Sequence, residues 1–388
     1  MKIALPDTIE SPAASPDIPV FRPRLPSADR LLPYLREIDA GRWYSNHGPL
    51  LDRFEGALAE RFAVAPERVI AVANATAGLS LCLLAARAAG GGNRADGLCV
   101  LPSWTHEASA IAVVRAGLTP WFHDVDEASW RLDPDRVADE IRADPRVVHV
   151  MVTAPFGARV PLAPWADLSE RTGIGVTIDA AAGFDGLRGG PVDAVVSLHA
   201  TKILGIGEGG VVVARDAARA SLIRRLARFG LSEDRVIDHA GMNAKLSEYA
   251  AAVGLAALDE WPARRAGFAW RRERYANRLD GRNGIRVWRP EGLSSSLMVR
   301  LPGPTAVETA EALRRLGIET RRWWHAGCHR QPALEGFPRR PLPVTEALAE
   351  SVLGLPYHGD LDAAAIDRVA AALLSVSAAS TPSPSAGT

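Results

Sequence analysis

Leu51, Phe54, Leu58 and Phe62 recur at intervals of three and four residues, which places four apolar side chains on one face of a helix. The run Val69 to Ala73 that follows is short and continuously apolar, as a buried strand is. The couplet then repeats along the chain. The pattern predicts a helix from Thr76 to Ala89, a strand over 98–101, a helix from Thr105 to Ala116 and a strand over 119–125. Further strand-like runs lie at Val147 to Thr153, Gly175 to Ile178, Ala194 to Leu198 and Val211 to Ala214, mostly separated by helical segments. Such alternation argues for an α/β fold, a mostly parallel sheet flanked by helices on both faces. Ligands of such sheets bind beyond the carboxyl ends of the strands.

From Lys245 the pattern changes to a long helical stretch, Leu246 to Leu279, interrupted near Trp261-Pro262. Strand-like Arg286 to Trp288 and Leu297 to Leu301 follow, then helices from Ala306 to Leu316 and from Asp362 to Leu374. These predict a large domain over residues 26–245 and a smaller C-terminal α+β domain over 246–376. Residues 1–25 form a Pro- and Ser-rich N-terminal extension and 377–388 read as a disordered tail, so neither end is expected to carry the fold.

Composition removes several classes of function. A chain of 388 residues with 47% hydrophobic residues can bury a sizeable core, and a formal net charge of zero offers no electrostatic capture of nucleic acid or a membrane surface. Cys82, Cys99 and Cys328 are widely spaced and lack zinc-site or redox spacing, so they are expected to be buried reduced thiols, and no metal site is expected. The N-terminus lacks the apolar stretch of a signal peptide and no run is long enough to span a bilayer, so the expected location is cytoplasmic.

The chemistry begins with scarcity. Of the 45 basic residues only Lys2, Lys202 and Lys245 are lysines. Arginine can replace lysine wherever a positive charge suffices, but not where an amine must lose its proton and attack a carbonyl. Lys202 sits in Ser197-Leu-His-Ala-Thr-Lys202 between two strand-like runs, and is either a Schiff-base lysine or a retained ion-pair residue. Asp179 ends the run Gly175 to Ile178, at a strand tip on the same sheet edge, and is either a turn aspartate or a functional carboxylate. A carboxylate near such a lysine suits pyridoxal 5'-phosphate, whose ring nitrogen it keeps protonated. Asn74-Ala-Thr76-Ala-Gly78 opens a helix after a strand and serves either as a phosphate anchor or as a plain N-cap. Gly205-Ile-Gly207-Glu-Gly-Gly210 matches G-x-G-x-x-G but leads into a strand, which argues for a tight turn and against a dinucleotide site.

These residues, with Tyr44-Ser-Asn-His-Gly-Pro49, Pro102-Ser-Trp-Thr105, Asp179-Ala-Ala-Ala182, Gly207-Glu-Gly-Gly210 and Gly241-Met-Asn-Ala-Lys-Leu-Ser-Glu248, resemble the DegT/DnrJ-type nucleotide-sugar aminotransferases. These are enzymes of pyridoxal phosphate fold type I, and the resemblance runs from about Tyr44 to Tyr357. It implies that Lys202 forms the Schiff base, that Asp179 pairs with the ring nitrogen, and that Thr76, Ala77 and Ser197 hold the phosphate. His106 falls where an aromatic ring usually stacks on the cofactor, and Ala182 replaces a usual Gln or His. Asn243 would reach the phosphate in the neighbouring subunit, which implies a homodimer with shared active sites. Lys245 stands where Arg is common, with a structural or substrate-phosphate role.

The implied reaction moves an amino group from an amino acid, glutamate, to a keto-deoxysugar on a nucleoside diphosphate, through pyridoxamine phosphate. Trp43, Tyr44, Trp323, Trp324, His325 and His329 are candidate lining residues or else core and interface residues. Arg321 and Arg322 are candidate diphosphate ligands or a solvated face. A cyclitol or other non-sugar ketone as acceptor, and a non-catalytic regulator that binds the cofactor, are the alternatives.

Overall fold

The computed structural model describes residues 16–90, 96–303 and 305–379. Seven strands, β1 (Val69–Val72), β2 (Leu98–Pro102), β3 (Thr119–His123), β4 (Val147–Thr153), β5 (Gly175–Asp179), β6 (Asp193–Ser197) and β7 (Gly210–Val213), form one sheet in the order β1-β7-β6-β5-β4-β2-β3. Continuous Val, Ile and Leu runs make β1, β2, β4, β6 and β7 buried along their whole length, as strands covered on both faces require. Helices supply the cover: α1 (Ala28–Gly41), α2 (Pro49–Phe62), α3 (Ala75–Ala88), α4 (Glu107–Arg115), α5 (Pro134–Ala143), α6 (Leu162–Thr172) and α7 (Ala217–Leu226). The sheet is mostly parallel, as expected. Its exception is β7, antiparallel to both neighbours. No helix intervenes between β6 and β7, and a parallel return would need such a crossover. The chain therefore folds straight back, and its connecting segment, which contains Lys202, is held at the edge where β5 and β6 end.

Beyond α8 (Glu248–Asp259) and α9 (Trp261–Leu279), a second sheet of β8 (Arg286–Val287), β9 (Leu297–Arg300) and β10 (Val352–Leu355) pairs antiparallel, with α10 (Ala306–Arg315), α11 (Pro343–Ser351) and α12 (Ala363–Ala379) around it. The α8–α9 break falls at the predicted place because Pro262 can occupy only the first turn of a helix. α1 escapes the periodic pattern because it buries only Ile38 and carries Pro33. β10 escapes it because four residues follow a helix directly, with no turn residue to mark the change.

The N-terminal extension contributes more than its composition suggests. Ile18 bridges to Ile318, Val20 is buried, and the Val20 carbonyl accepts from the Tyr357 N–H at 2.9 Å. At the other end α12 continues to Ala379, so residues 377–379 are helical where a disordered tail was expected. Residues 1–15 and 380–388 lie outside the described residues. The three cysteines are free and buried, and loss of water pushes each thiol pKa up. Among the described residues no helix is long and apolar enough to cross a membrane.

Two buried histidines couple the sheet to pH. Burial pushes His149 down to about 3, and its Nε2 lies 2.9 Å from Thr177 Oγ1. His123 is pushed down to about 4, also by burial. The unfolded chain takes up these protons near pH 6.5, whereas the folded protein resists until about 4 and 3. Their stabilisation is therefore complete above 6.5 and lost as pH falls through that window. Urea midpoints should drop steadily from pH 7 to pH 4, and less steeply in His149→Gln; a flat profile in the parent protein is incompatible with this account.

Candidate active site

The sheet brings the ends of β1, β5 and β6 and the start of β7 to one edge. Gly210 lies opposite Val72 on one side and Ser197 on the other. A Cβ on Gly210 would come within 2.6 Å of the Ala75 nitrogen, so only glycine lets the first turn of α3 rest on this edge. Asn74 caps that helix, its Oδ1 accepting from the Ala77 N–H at 2.9 Å. The cap engages Ala77, and leaves the N–H groups of Ala75 and Thr76 at the positive end of the helix with the Thr76 hydroxyl. Ser197, the last residue of β6, is buried and its Oγ accepts from the His199 N–H at 3.3 Å.

Asp179 ends β5 and is 4% exposed. Ser109 Oγ donates to its Oδ2 at 2.5 Å, and the Ala181 N–H to its Oδ1 at 3.0 Å. The serine is itself held, since Thr105 Oγ1 lies 3.0 Å from Ser109 Oγ and 2.8 Å from Thr153 Oγ1. This buried hydroxyl chain fixes the carboxylate. Sequence reasoning passed over it, although the signal was present: Ser109 is a polar residue on the inner face of an otherwise apolar helix turn, and buried polar groups need partners.

Lys202 lies in the backbone-rich turn expected there. The Ala200 N–H donates to Gly207 O at 2.7 Å, Lys202 N–H to His199 O at 2.8 Å, and Ile206 N–H to Leu198 O at 2.8 Å. Burial lowers the pKa of the Lys202 amine below the ordinary lysine value, opposed by attraction to the Asp179 carboxylate. The amine and the carboxylate thus share one electrostatic environment, in which the neutral, nucleophilic amine is favoured by loss of water.

The other candidates divide. His106 is the N-cap of α4, mostly exposed, its Nδ1 accepting from the Ala108 N–H at 3.1 Å. Asn243 is exposed on a bridge with Arg228, and Lys245, bridged to Val72, places its amine 5.1 Å from the Phe229 ring centroid. Trp43 and Tyr44 are about half exposed, with Tyr44 stacked on Tyr249. Trp324 is buried against Phe156 and Trp104, and Trp323 packs with Phe21, so this pair belongs to packed aromatic clusters. Buried His329 is fixed by Ser103 Oγ at 2.6 Å, whereas His325 is exposed. Arg321 stacks on Phe21 and Trp323 and Arg322 donates to Ala349 O at 3.0 Å, which gives both arginines structural contacts.

Two of the motifs quoted above meet through Glu248. It is 1% exposed, and its carboxylate accepts from the N–H groups of Gly48, Leu50 and Leu51 at 3.2, 2.8 and 3.0 Å. A side-chain carboxylate thereby caps α2 and anchors the Tyr44–Pro49 turn. Glu248→Gln, which offers one acceptor oxygen where two now serve, should lower stability by about 1–3 kcal/mol. Urea denaturation reads the change; equal midpoints would remove Glu248 from this role.

The residues present fit pyridoxal phosphate. Its aldehyde needs an amine that can lose its proton, its ring nitrogen a fixed carboxylate, and its phosphate a helix N-terminus with hydroxyls, all on one sheet edge. The chain belongs to the DegT/DnrJ/EryC1/StrS aminotransferase family, whose model matches residues 27–374. GDP-perosamine synthase of Caulobacter vibrioides is 30% identical over 379 residues, covering 92% of this chain and 98% of that protein. dTDP-3-amino-3,4,6-trideoxy-alpha-D-glucose transaminase of Streptomyces venezuelae is 31% identical over 341 residues, covering 84% of this chain and 86% of that protein. A crystal structure of DesI in the presence of its TDP-sugar product superposes with a TM-score of 0.84 at 33% identity, covering 94% of each chain.

Proposed function

We propose that the protein transfers an amino group from an amino acid, glutamate, to a keto-deoxysugar carried on a nucleoside diphosphate. The carrying observation is the Lys202 amine, depressed in pKa and under the influence of an Asp179 carboxylate that Ser109 and Ala181 hold in place. Bound here, pyridoxal phosphate supplies the electron sink for the carbanion left when the donor loses its α-proton. Lys202 would anchor the cofactor through its amine, and the same amine would take up and return the donor's α-proton as a general base and acid. Asp179 keeps the proton on the ring nitrogen. Thr76, Ala77 and Ser197 would hold the phosphate, and His106 would take the place of the ring that stacks on the cofactor.

The acceptor class rests on the relatives, two of whose names specify nucleotide-linked aminosugars. Glutamate followed by a panel of nucleoside-diphosphate 3-keto- and 4-keto-6-deoxyhexoses should first bleach and then restore the cofactor's visible absorbance. Restoration by a cyclitol ketone and by no nucleotide sugar would overturn the acceptor; no bleaching by any amino acid would favour a regulator. Three reduced thiols accord with a cytoplasmic setting.

A homodimer completes this reading. Phe229, Val236, Ile237 and Tyr249 are roughly half exposed on or beside the segment that carries Asn243, more apolar surface than a hairpin ordinarily leaves to water. If Asn243 serves the partner's phosphate, mixing inactive Lys202→Ala with inactive Asn243→Asp and reassociating the subunits should restore activity. Each hybrid then contains one intact site. Absence of recovery in a verified hybrid population places Asn243 in its own subunit's site.

A further inference from the structure

A cavity of about 150 Å³ opens beside the ends of β4 and β5 and shares no lining residue with the larger cavity that Lys202 lines. Ala154, Ile178 and Ala180 form its sheet side, and Val160, Leu162 and Leu187 come from the segments that follow the two strands. All but Leu162 of these six are buried, so the inner wall is aliphatic. The backbone adds few donors to it. The N–H groups of Ala154, Ala180, Gly183 and Gly186 already donate to the carbonyls of Asp179, Val195, Ala180 and Gly183, at 2.8, 2.9, 2.7 and 3.1 Å. The charged lining residues are Arg159 and Arg188, both exposed and therefore at the opening, and no lining residue is acidic. Two acids lie close by, and both are engaged. Asp185 accepts from Arg265 Nε at 2.7 Å, Arg61 Nη2 at 3.0 Å and the Leu293 N–H at 3.1 Å, and Glu291 accepts from the backbone N–H of Arg159 at 3.1 Å. Arg188 is left with carbonyls, that of Leu187 at 2.7 Å and that of Asp185 at 3.4 Å, and its charge acts against that of Arg61. Among the described residues neither Arg159 nor Arg188 forms an ion pair.

Size and lining together select a ligand. An aliphatic cavity of about 150 Å³ stays dry and takes up a molecule the size of benzene. A sugar would lose water from its hydroxyls against this wall and find few partners in return. Two guanidinium groups at the opening, in surplus over the acids beside them, favour a carboxylate on the outward end of the same molecule. We propose that the cavity is a second binding site, which takes a small apolar monocarboxylate of benzoate size with its ring on the aliphatic wall and its carboxylate between Arg159 and Arg188. A ligand seated there touches Ala154 and Ala180, the residues that follow Thr153 and Asp179, without entering the cavity at Lys202. The assignment does not depend on the aminotransferase reading of Lys202.

Calorimetry on the cofactor-loaded protein tests it with three probes: benzoate, benzamide, which keeps the shape without the charge, and acetate, which keeps the charge without the ring. Benzoate should bind about tenfold or more tightly than either of the others, since each lacks one of the two matched features. Arg188→Met and Arg159→Met should each weaken benzoate binding by about fivefold or more, the loss of one charge-assisted contact. Ala158→Leu, which places a larger side chain in the lining, should abolish it. Ala158 is buried, so the two exposed arginine positions carry the test if circular dichroism shows that the leucine variant fails to fold. No binding of benzoate by the parent protein, equal affinity for benzoate and benzamide or for benzoate and acetate, or parent-like benzoate affinity in both arginine variants overturns the site.

Discussion

Lys202→Arg and Lys202→Ala should both end amino transfer. Arginine preserves the positive charge and much of the stem, so its failure isolates what the charge cannot supply: an amine that becomes neutral, bonds to a carbonyl carbon and later returns a proton. Loss of proton transfer alone costs about 10²–10⁴-fold, and loss of the covalent anchor adds to it. The fold should survive, because Asp179 keeps its bonds to Ser109 and Ala181 when the lysine is gone. Single-turnover bleaching with glutamate measures the rate, circular dichroism the fold, and borohydride reduction followed by peptide mass analysis the site of attachment. A well-folded Lys202→Ala that transfers amino groups at the parent rate, or a reduced adduct on Lys245, would remove Lys202 from the centre of the mechanism.

Lys202 was legible for a chemical reason: in a chain with 42 arginines and three lysines, a lysine between two strands at the ligand-binding edge invites the question of what arginine could not do there. Asp179 was legible because it ends an apolar run, and the large sheet because its strands are buried on both faces and therefore continuous in sequence. What escaped was long-range. Ser109 meets Asp179 across 70 positions and Glu248 meets Leu50 across 198, and neither partner advertises the other. The reversal of β7 depends on the absence of a crossover helix, and periodicity alone does not register direction. Arg22, Arg24, Arg30, Arg264 and Arg271, which share a cavity with Lys202, come from two distant segments of a chain so rich in arginine that none stands out. Trp323 and Trp324 show the converse, since residues of functional type turned out to be packed in aromatic clusters once their neighbours were known.

Asp179→Asn should be the second most damaging change, and it separates charge from shape. Asparagine fills the same volume and can keep its oxygen toward the Ala181 N–H while its amide N–H donates to the Ser109 hydroxyl oxygen, but it no longer holds a proton on a ring nitrogen. Removing one fixed electrostatic stabiliser of this kind costs about 10²–10³-fold in rate. Ser109→Ala makes the complementary test: the charge stays and the Ala181 contact stays, but the 2.5 Å hydroxyl bond and its link to Thr105 and Thr153 are lost. A hydrogen bond to a charged group is worth about 1.5–3 kcal/mol, so the serine variant should lose roughly tenfold to a hundredfold. Ser109→Thr, which restores a hydroxyl, should recover most of it. In the double variant Asp179→Asn/Ser109→Ala the serine's loss should shrink, because a positioning residue has little left to position once the charge is gone. Full additivity of the two losses would mean that Ser109 acts independently of Asp179, and the hydroxyl chain would then be a packing feature of α4.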